Sequence, residues 1–193
     1  MATVIQPHQL VGAPSVGLLS IGQSPRPDLT AQFRRLAPHV SFMEAGALHH
    51  LSEAALPPAQ GAYPLVTRLR NGNRVVIDEA FLAPHLQTAV NETIKRGVKV
   101  VALLCAGSFD ALHCDVPLLK PFALAQAALR TMGLTSIDVI SPFAQQEEPI
   151  RRRWQAAGFQ ARVSTAHLVD DVERIADCVG TGSGRCVVLD YVG

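Results

Sequence analysis

The stretch Val16-Gly17-Leu18-Leu19-Ser20-Ile21-Gly22-Gln23-Ser24-Pro25-Arg26-Pro27-Asp28 decides how the chain is read. Its first half is a short apolar run without polar alternation, the pattern of a strand buried on both faces. Gly22 ends the run, and an arginine held between two prolines follows Gln23 and Ser24. Asp28 is placed to cap a helix through about Leu36, which Pro38 stops. Strand, stiff polar loop and helix together open a parallel α/β unit, whose ligands gather outside the carboxyl ends of the strands.

The same rhythm runs outward from there. Val40 to Met43 reads as a second strand with Glu44 at its end, and Ser52 to Leu56 as a helical turn broken by Pro57 and Pro58. Leu65–Leu69 and Arg74–Ile77 flank Asn71-Gly72-Asn73, a hairpin signal because Asn-Gly tolerates the positive φ of a tight turn. Asp78 is placed to cap a long helix through about Lys95, closed by Gly97. Val98 to Leu104 is the strongest strand pattern in the chain and ends at Cys105-Ala106-Gly107-Ser108-Phe109. Helices then read over Pro121–Met132 and Pro149–Ala157, with another from Asp170 to about Cys178. Strands read at Ser136–Ile140, Ala161–Ser164 and Cys186–Leu189.

Strands alternating with helices predict an α/β fold with mostly parallel sheets. The expected organisation is an N-terminal lobe over residues 15–117, a connecting helix over 118–133 and a C-terminal lobe over 134–193, with residues 1–14 as a loose arm. The chain stops directly after a strand, and parallel pairing needs a covering crossover. The last strand is therefore expected at a sheet edge or in a lobe that continues beyond Gly193, and truncation is the favoured expectation.

Bulk composition narrows the function. The chain of 193 residues is 48% hydrophobic and 17% charged, enough for a large core, and its net charge of +1 gives no electrostatic argument for nucleic acid or an anionic membrane, so neither is expected as a partner. Arg151 to Arg153, behind Glu147 and Glu148, read as a solvated helix face. No apolar run reaches membrane length, and Met1 to Val11 lacks the pattern of a secretory signal. The four cysteines, Cys105, Cys114, Cys178 and Cys186, show no CxxC pair, so free thiols in a reducing compartment, by default the cytoplasm, are expected. The histidines show no metal-ligand spacing. Gly180-Thr181-Gly182-Ser183-Gly184 precedes a strand and so lacks the geometry of a phosphate loop.

Chemistry concentrates at four predicted strand ends: Gln23-Ser24-Pro25-Arg26, Glu44-Ala45-Gly46, Cys105-Ala106-Gly107-Ser108 and Asp190-Tyr191. A guanidinium at Arg26 suits bidentate capture of a carboxylate or phosphate. A thiol at Cys105, ahead of backbone N–H groups, suits acid–base or nucleophilic work, although most free cysteines are small buried hydrophobes.

These segments carry a resemblance. Ser20-Ile21-Gly22-Gln23-Ser24-Pro25-Arg26-Pro27-Asp28, Glu44-Ala45-Gly46-Ala47-Leu48, Leu65-Val66-Thr67-Arg68-Leu69 and Leu103-Leu104-Cys105-Ala106-Gly107-Ser108-Phe109 resemble the AroM family, with a weaker match at Val188-Leu189-Asp190-Tyr191-Val192-Gly193. That family is similar to the aspartate/glutamate and hydantoin racemase superfamily. The resemblance implies two similar α/β lobes, a cofactor-free site for a small acid in the cleft between them, and one proton-transferring cysteine from each lobe. Cys105 matches the first-lobe cysteine. Tyr191 stands where the second is expected, and His49 where an aspartate is common.

The resulting expectation is a cofactor-independent racemase-, isomerase- or decarboxylase-type enzyme acting on a small carboxylate. Its catalytic residues are Cys105 and Tyr191; Gln23, Ser24, Arg26, Glu44, Gly107, Ser108 and Asp190 bind substrate. It needs no metal, and a homodimer is allowed. The alternatives are a small-anion-binding or regulatory protein without turnover, favoured by Tyr191, and an interaction module whose pocket is filled by its own side chains.

Overall fold

A computed structural model of the chain describes residues 15–61, 63–166, 172–180 and 186–191. The first half contains β1 (Ser15–Ser20), α1 (Pro27–Leu36), β2 (Ser41–Gly46), β3 (Pro64–Arg68), β4 (Arg74–Asp78), α2 (Glu79–Lys95) and β5 (Val100–Leu104). The second contains β6 (Leu118–Leu119), α3 (Pro121–Thr131), β7 (Ser136–Ser141), α4 (Glu147–Ala156), β8 (Gln160–Thr165), α5 (Val172–Gly180) and β9 (Val187–Leu189).

Two parallel sheets form, one ordered β2-β1-β5-β6 and the other β8-β7-β9, with β3 and β4 as a separate antiparallel hairpin. Strand alternation divides the first core. Leu18 packs with Leu29 of α1 and with Leu104, while Leu19 and Leu103 join Leu82, Leu86 and Val90 of α2. The two helices therefore cover opposite faces, and the strand order reverses at β1. The second sheet reverses at β7 in the same way. Ile150 and Trp154 of α4 pack there with Ile137 and Val139, and Trp154 meets Phe122 and Phe159 edge-on.

Several sequence expectations shift. Helix α1 starts at Pro27, with Arg26 at the N-cap, because proline fits a first-turn position that needs no N–H. Asp28 therefore lies inside the first turn and does not cap it. Asp78 does hold the N-cap of α2, yet its carboxylate accepts the Gln60 and Gly61 N–H groups, both at 2.8 Å, and makes no cap bond. Strand β2 continues through Glu44 to Gly46, so Glu44 is within the strand and not at its end. Leu118 and Leu119 pair in parallel with Val101 and Ala102. The first sheet thus extends past residue 117, and the connecting helix begins only at Pro121. A two-residue strand has no periodicity from which to be read.

Strand β9 is an edge strand among the described residues. The arm over residues 1–14, the cap expected at Asp170 and the turn over residues 181–184 lie outside the described residues. No helix among the described residues is long and apolar enough to cross a membrane.

Candidate active site

The carboxyl ends of both reversing strands line one cavity of about 300 Å³. From the first sheet come Ser20 and Ile21 at the end of β1, and Leu104, Cys105, Ala106 and Gly107 at the end of β5. From the second come Pro142 and Phe143 after β7, and Leu189, Asp190 and Tyr191 at β9. Helix α1 adds Asp28 and Leu29 with Arg26 at its cap, helix α4 adds Ile150 and Arg153, and the hairpin adds Arg68 and Arg74. By exposed area the wall is mostly apolar, but it also carries Arg26, Arg68, Arg74, Arg153, Asp28 and Asp190.

Cys105 follows directly on β5 and is 7% exposed. The Gly107 N–H donates to its Sγ at 3.4 Å. Burial pushes the thiol from an ordinary 9.0 up to about 12, against the opposing pull of that N–H and of the Arg153 guanidinium. Near neutral pH, Cys105 is therefore a protonated thiol and not a standing thiolate. The loop around it is tightly determined. A Cβ at position 107 would lie 2.5 Å from the Phe109 ring, so only glycine fits. Phe109 itself holds φ at +42°, a left-handed conformation unusual for a bulky side chain.

Asp190 is 6% exposed and accepts from an Arg153 terminal nitrogen and, at 3.4 Å, from the Trp154 indole. Burial raises its carboxyl, and Arg153 opposes that most. Arg153 also donates to Ala106 O at 2.8 Å and lies over the rings of Phe122 and Tyr63. It therefore joins the loop after β5 to the strand end of the second sheet.

Arg153 corrects the expectation that residues 151–153 form a solvated face. Arg151 and Arg152 do pair with Glu148 at the surface, but the Arg153 side chain is only 10% exposed. The signal was present: Ile150, Arg153, Trp154 and Ala157 fall at i, i+3, i+4 and i+7, one face of a helix. Tyr63 and Glu79 also escaped notice. Burial is the main cause raising both groups, and the Phe109 N–H partly offsets it at Glu79.

The structure brings together Cys105, Gly107, Arg26, Asp190 and Tyr191 of the expected site residues, and leaves Gln23, Ser24, Glu44 and Ser108 off the cavity wall. Gln23 donates to Leu51 O at 2.7 Å and accepts the Arg70 N–H at 2.8 Å. The Ser24 hydroxyl meets His49 Nδ1 at 2.8 Å, and the Ser24–Pro25 peptide is cis. Glu44 accepts the Arg26 N–H at 2.7 Å, the Thr30 hydroxyl at 2.8 Å and Arg34 at 2.9 Å. Arg26 reaches the cavity, but its Nε and NH2 edge is filled by Asp28 at 2.8 and 2.6 Å. The loop after β1 thus directs most of its polarity into holding neighbouring segments. Among the described residues no cluster of His, Cys, Asp and Glu could hold a metal ion.

Solved structures share this arrangement of mainly parallel sheets. A liganded double variant of arylmalonate decarboxylase aligns with a TM-score of 0.64 at 15% identity, covering 92% of this chain and 77% of that one. Maleate isomerase from Pseudomonas putida aligns at 0.52 and 11%, covering 94% and 79%. An aspartate racemase homologue from Pyrococcus horikoshii aligns at 0.51 and 9%, covering 84% and 69%. At such identities the likeness is one of fold. A search of curated proteins returns no match. The family model described as AroM protein matches residues 16–193, and the chain belongs to the AroM family.

Proposed function

We propose that the chain is a cofactor-independent enzyme of the racemase, isomerase or decarboxylase type, acting on a small carboxylate through Cys105. The observation that carries this is the buried Cys105 thiol, at the end of β5 in a cavity lined from both sheets. The named neighbours in fold include a decarboxylase and an isomerase, which supports the class.

A single protonated thiol fits decarboxylation best. The bond to the departing carboxyl carbon breaks and CO2 leaves. The electron pair stays on the α-carbon as an enolate, to which the Cys105 S–H delivers its proton. The thiolate then regains a proton from solvent. A thiol near 12 suits this, because the acceptor is a strongly basic carbon and the donor must survive protonated until it forms. The Gly107 N–H on Sγ steadies the transient thiolate. Tyr191 lines the same cavity. The spacing of the four cysteines, which shows no CxxC pair, is the ground for assigning a reducing compartment, the cytoplasm.

The test is proton NMR in D2O with a panel of small carboxylates, following decarboxylation, isomerisation and loss of α-proton signal. A reaction that Cys105→Ala abolishes is the expected result. The second reading, an anion-binding protein without turnover, is favoured by Tyr191 in place of a second thiol. It wins if Cys105→Ala keeps full ligand affinity and the wild-type chain turns over nothing.

A further inference from the structure

Proton transfer at Cys105 leaves the substrate's charge without a stated partner. Arg26, the cation the sequence points to, already has its fork filled by Asp28. Two other donors on the same cavity wall have no acceptor among the described residues: Arg153 Nε and the Ser20 hydroxyl. Both are deeply buried, with Ser20 3% exposed and the Arg153 side chain 10%. A buried donor left unpaired is costly, and each such group in a native protein calls for a reason, a bound ion or a catalytic role among them.

The geometry of each donor supports a common purpose. Ser20 ends β1 in register with Leu104, the residue before Cys105, and Ser20 and Cys105 line the same cavity. Arg153 is held on two sides, by Ala106 O and by Asp190, which leaves its Nε edge free. Asp190 also keeps the guanidinium from being a bare buried charge when the site is empty. The net positive charge needed to draw in an anion comes from Arg68 and Arg74 on the same wall, which form no ion pair among the described residues.

We propose that the Arg153 Nε–H and the Ser20 hydroxyl form the carboxylate subsite of this cavity, in the role the sequence suggested for Arg26. The inference rests on the enzyme reading for the site's purpose, but its test needs no turnover. Malonate is titrated into 15N-labelled protein while the arginine Nε–H signals are followed, with malonamide as the uncharged counterpart. Arg153→Lys identifies the Arg153 signal, and Ser20→Ala supplies a mild variant that removes one donor only.

The Arg153 Nε–H should shift saturably with malonate and stay still with malonamide. Ser20→Ala should weaken malonate about tenfold, the loss of one hydrogen bond to a charged group. No malonate-dependent shift at Arg153, or binding abolished by Arg26→Leu and untouched by Ser20→Ala, overturns the subsite and leaves Cys105-dependent chemistry standing. A saturable shift at Arg153 with no Cys105-dependent reaction on any carboxylate overturns the enzyme reading and keeps the subsite.

Discussion

Cys105 illustrates how position and environment combine at a single residue. The end of a strong apolar strand puts a thiol at the sheet's carboxyl edge, and that much was legible in Val98 to Leu104 followed by Cys105. What the thiol does depends on its burial in the cluster that holds Phe109 and on the Arg153 guanidinium, which no local pattern records. The consequence is testable by alkylation with iodoacetamide, read by mass spectrometry. At mildly alkaline pH, Cys105 should carry roughly a thousandfold less thiolate than a thiol at 9.0, given its own value of about 12. Its rate should keep climbing with pH well past the point where an ordinary thiol levels off. A plateau near 9.0 would mean that the thiol is not held protonated, and the proton-donor role would fall with it.

Among elements, the regular ones were legible and the exceptions follow from long-range partners. The hairpin, α2 and the central strands lie within a residue or two of where periodicity and turn chemistry put them. Glu44 shows why the loop after β1 misleads. Its carboxylate reads as a ligand group, yet it accepts from Arg26, Thr30 and Arg34 and ties the N-terminus of α1 to β2. Burial pushes this carboxyl up, but the Arg26 N–H, Thr30 and Arg34 together outweigh it and hold it below the ordinary 4.5. A depressed folded value means stability that is fully present above the unfolded value and lost as pH falls through the folded one. Glu44→Gln should therefore lower urea-unfolding stability by about 2 kcal/mol near neutral pH. The difference should shrink towards zero in acid, where the wild-type carboxyl is protonated too. Equal losses at both pH values would show that the charge on Glu44 contributes nothing.

At the scale of the whole molecule, the cavity exists because two sheets each reverse strand order and direct those reversals at one space. Pattern alone locates the strand ends, but neither the strand order nor that the two reversals face each other. That depends on contacts such as Arg153 to Ala106 O and Gln146 Nε2 to Pro64 O at 2.9 Å, which join distant segments. The hairpin adds a further long-range feature. Arg68 and Arg74 are register partners on β3 and β4, and like charges directly opposite each other are destabilising. Both line the cavity, and under the proposed carboxylate subsite their role is to attract the anion. Exposed charges act on approach more than on the bound state, and salt screens them. Trp154, the single tryptophan, donates to Asp190, which lines the cavity, so its fluorescence is the signal to follow. In stopped-flow mixing with malonate, Arg74→Gln should slow association severalfold while leaving dissociation nearly unchanged. Raising salt to about 1 M, where the Debye length is roughly 3 Å, should bring wild type and variant together. If the variant instead dissociates faster at every salt concentration, Arg74 touches the bound anion and belongs to the site itself.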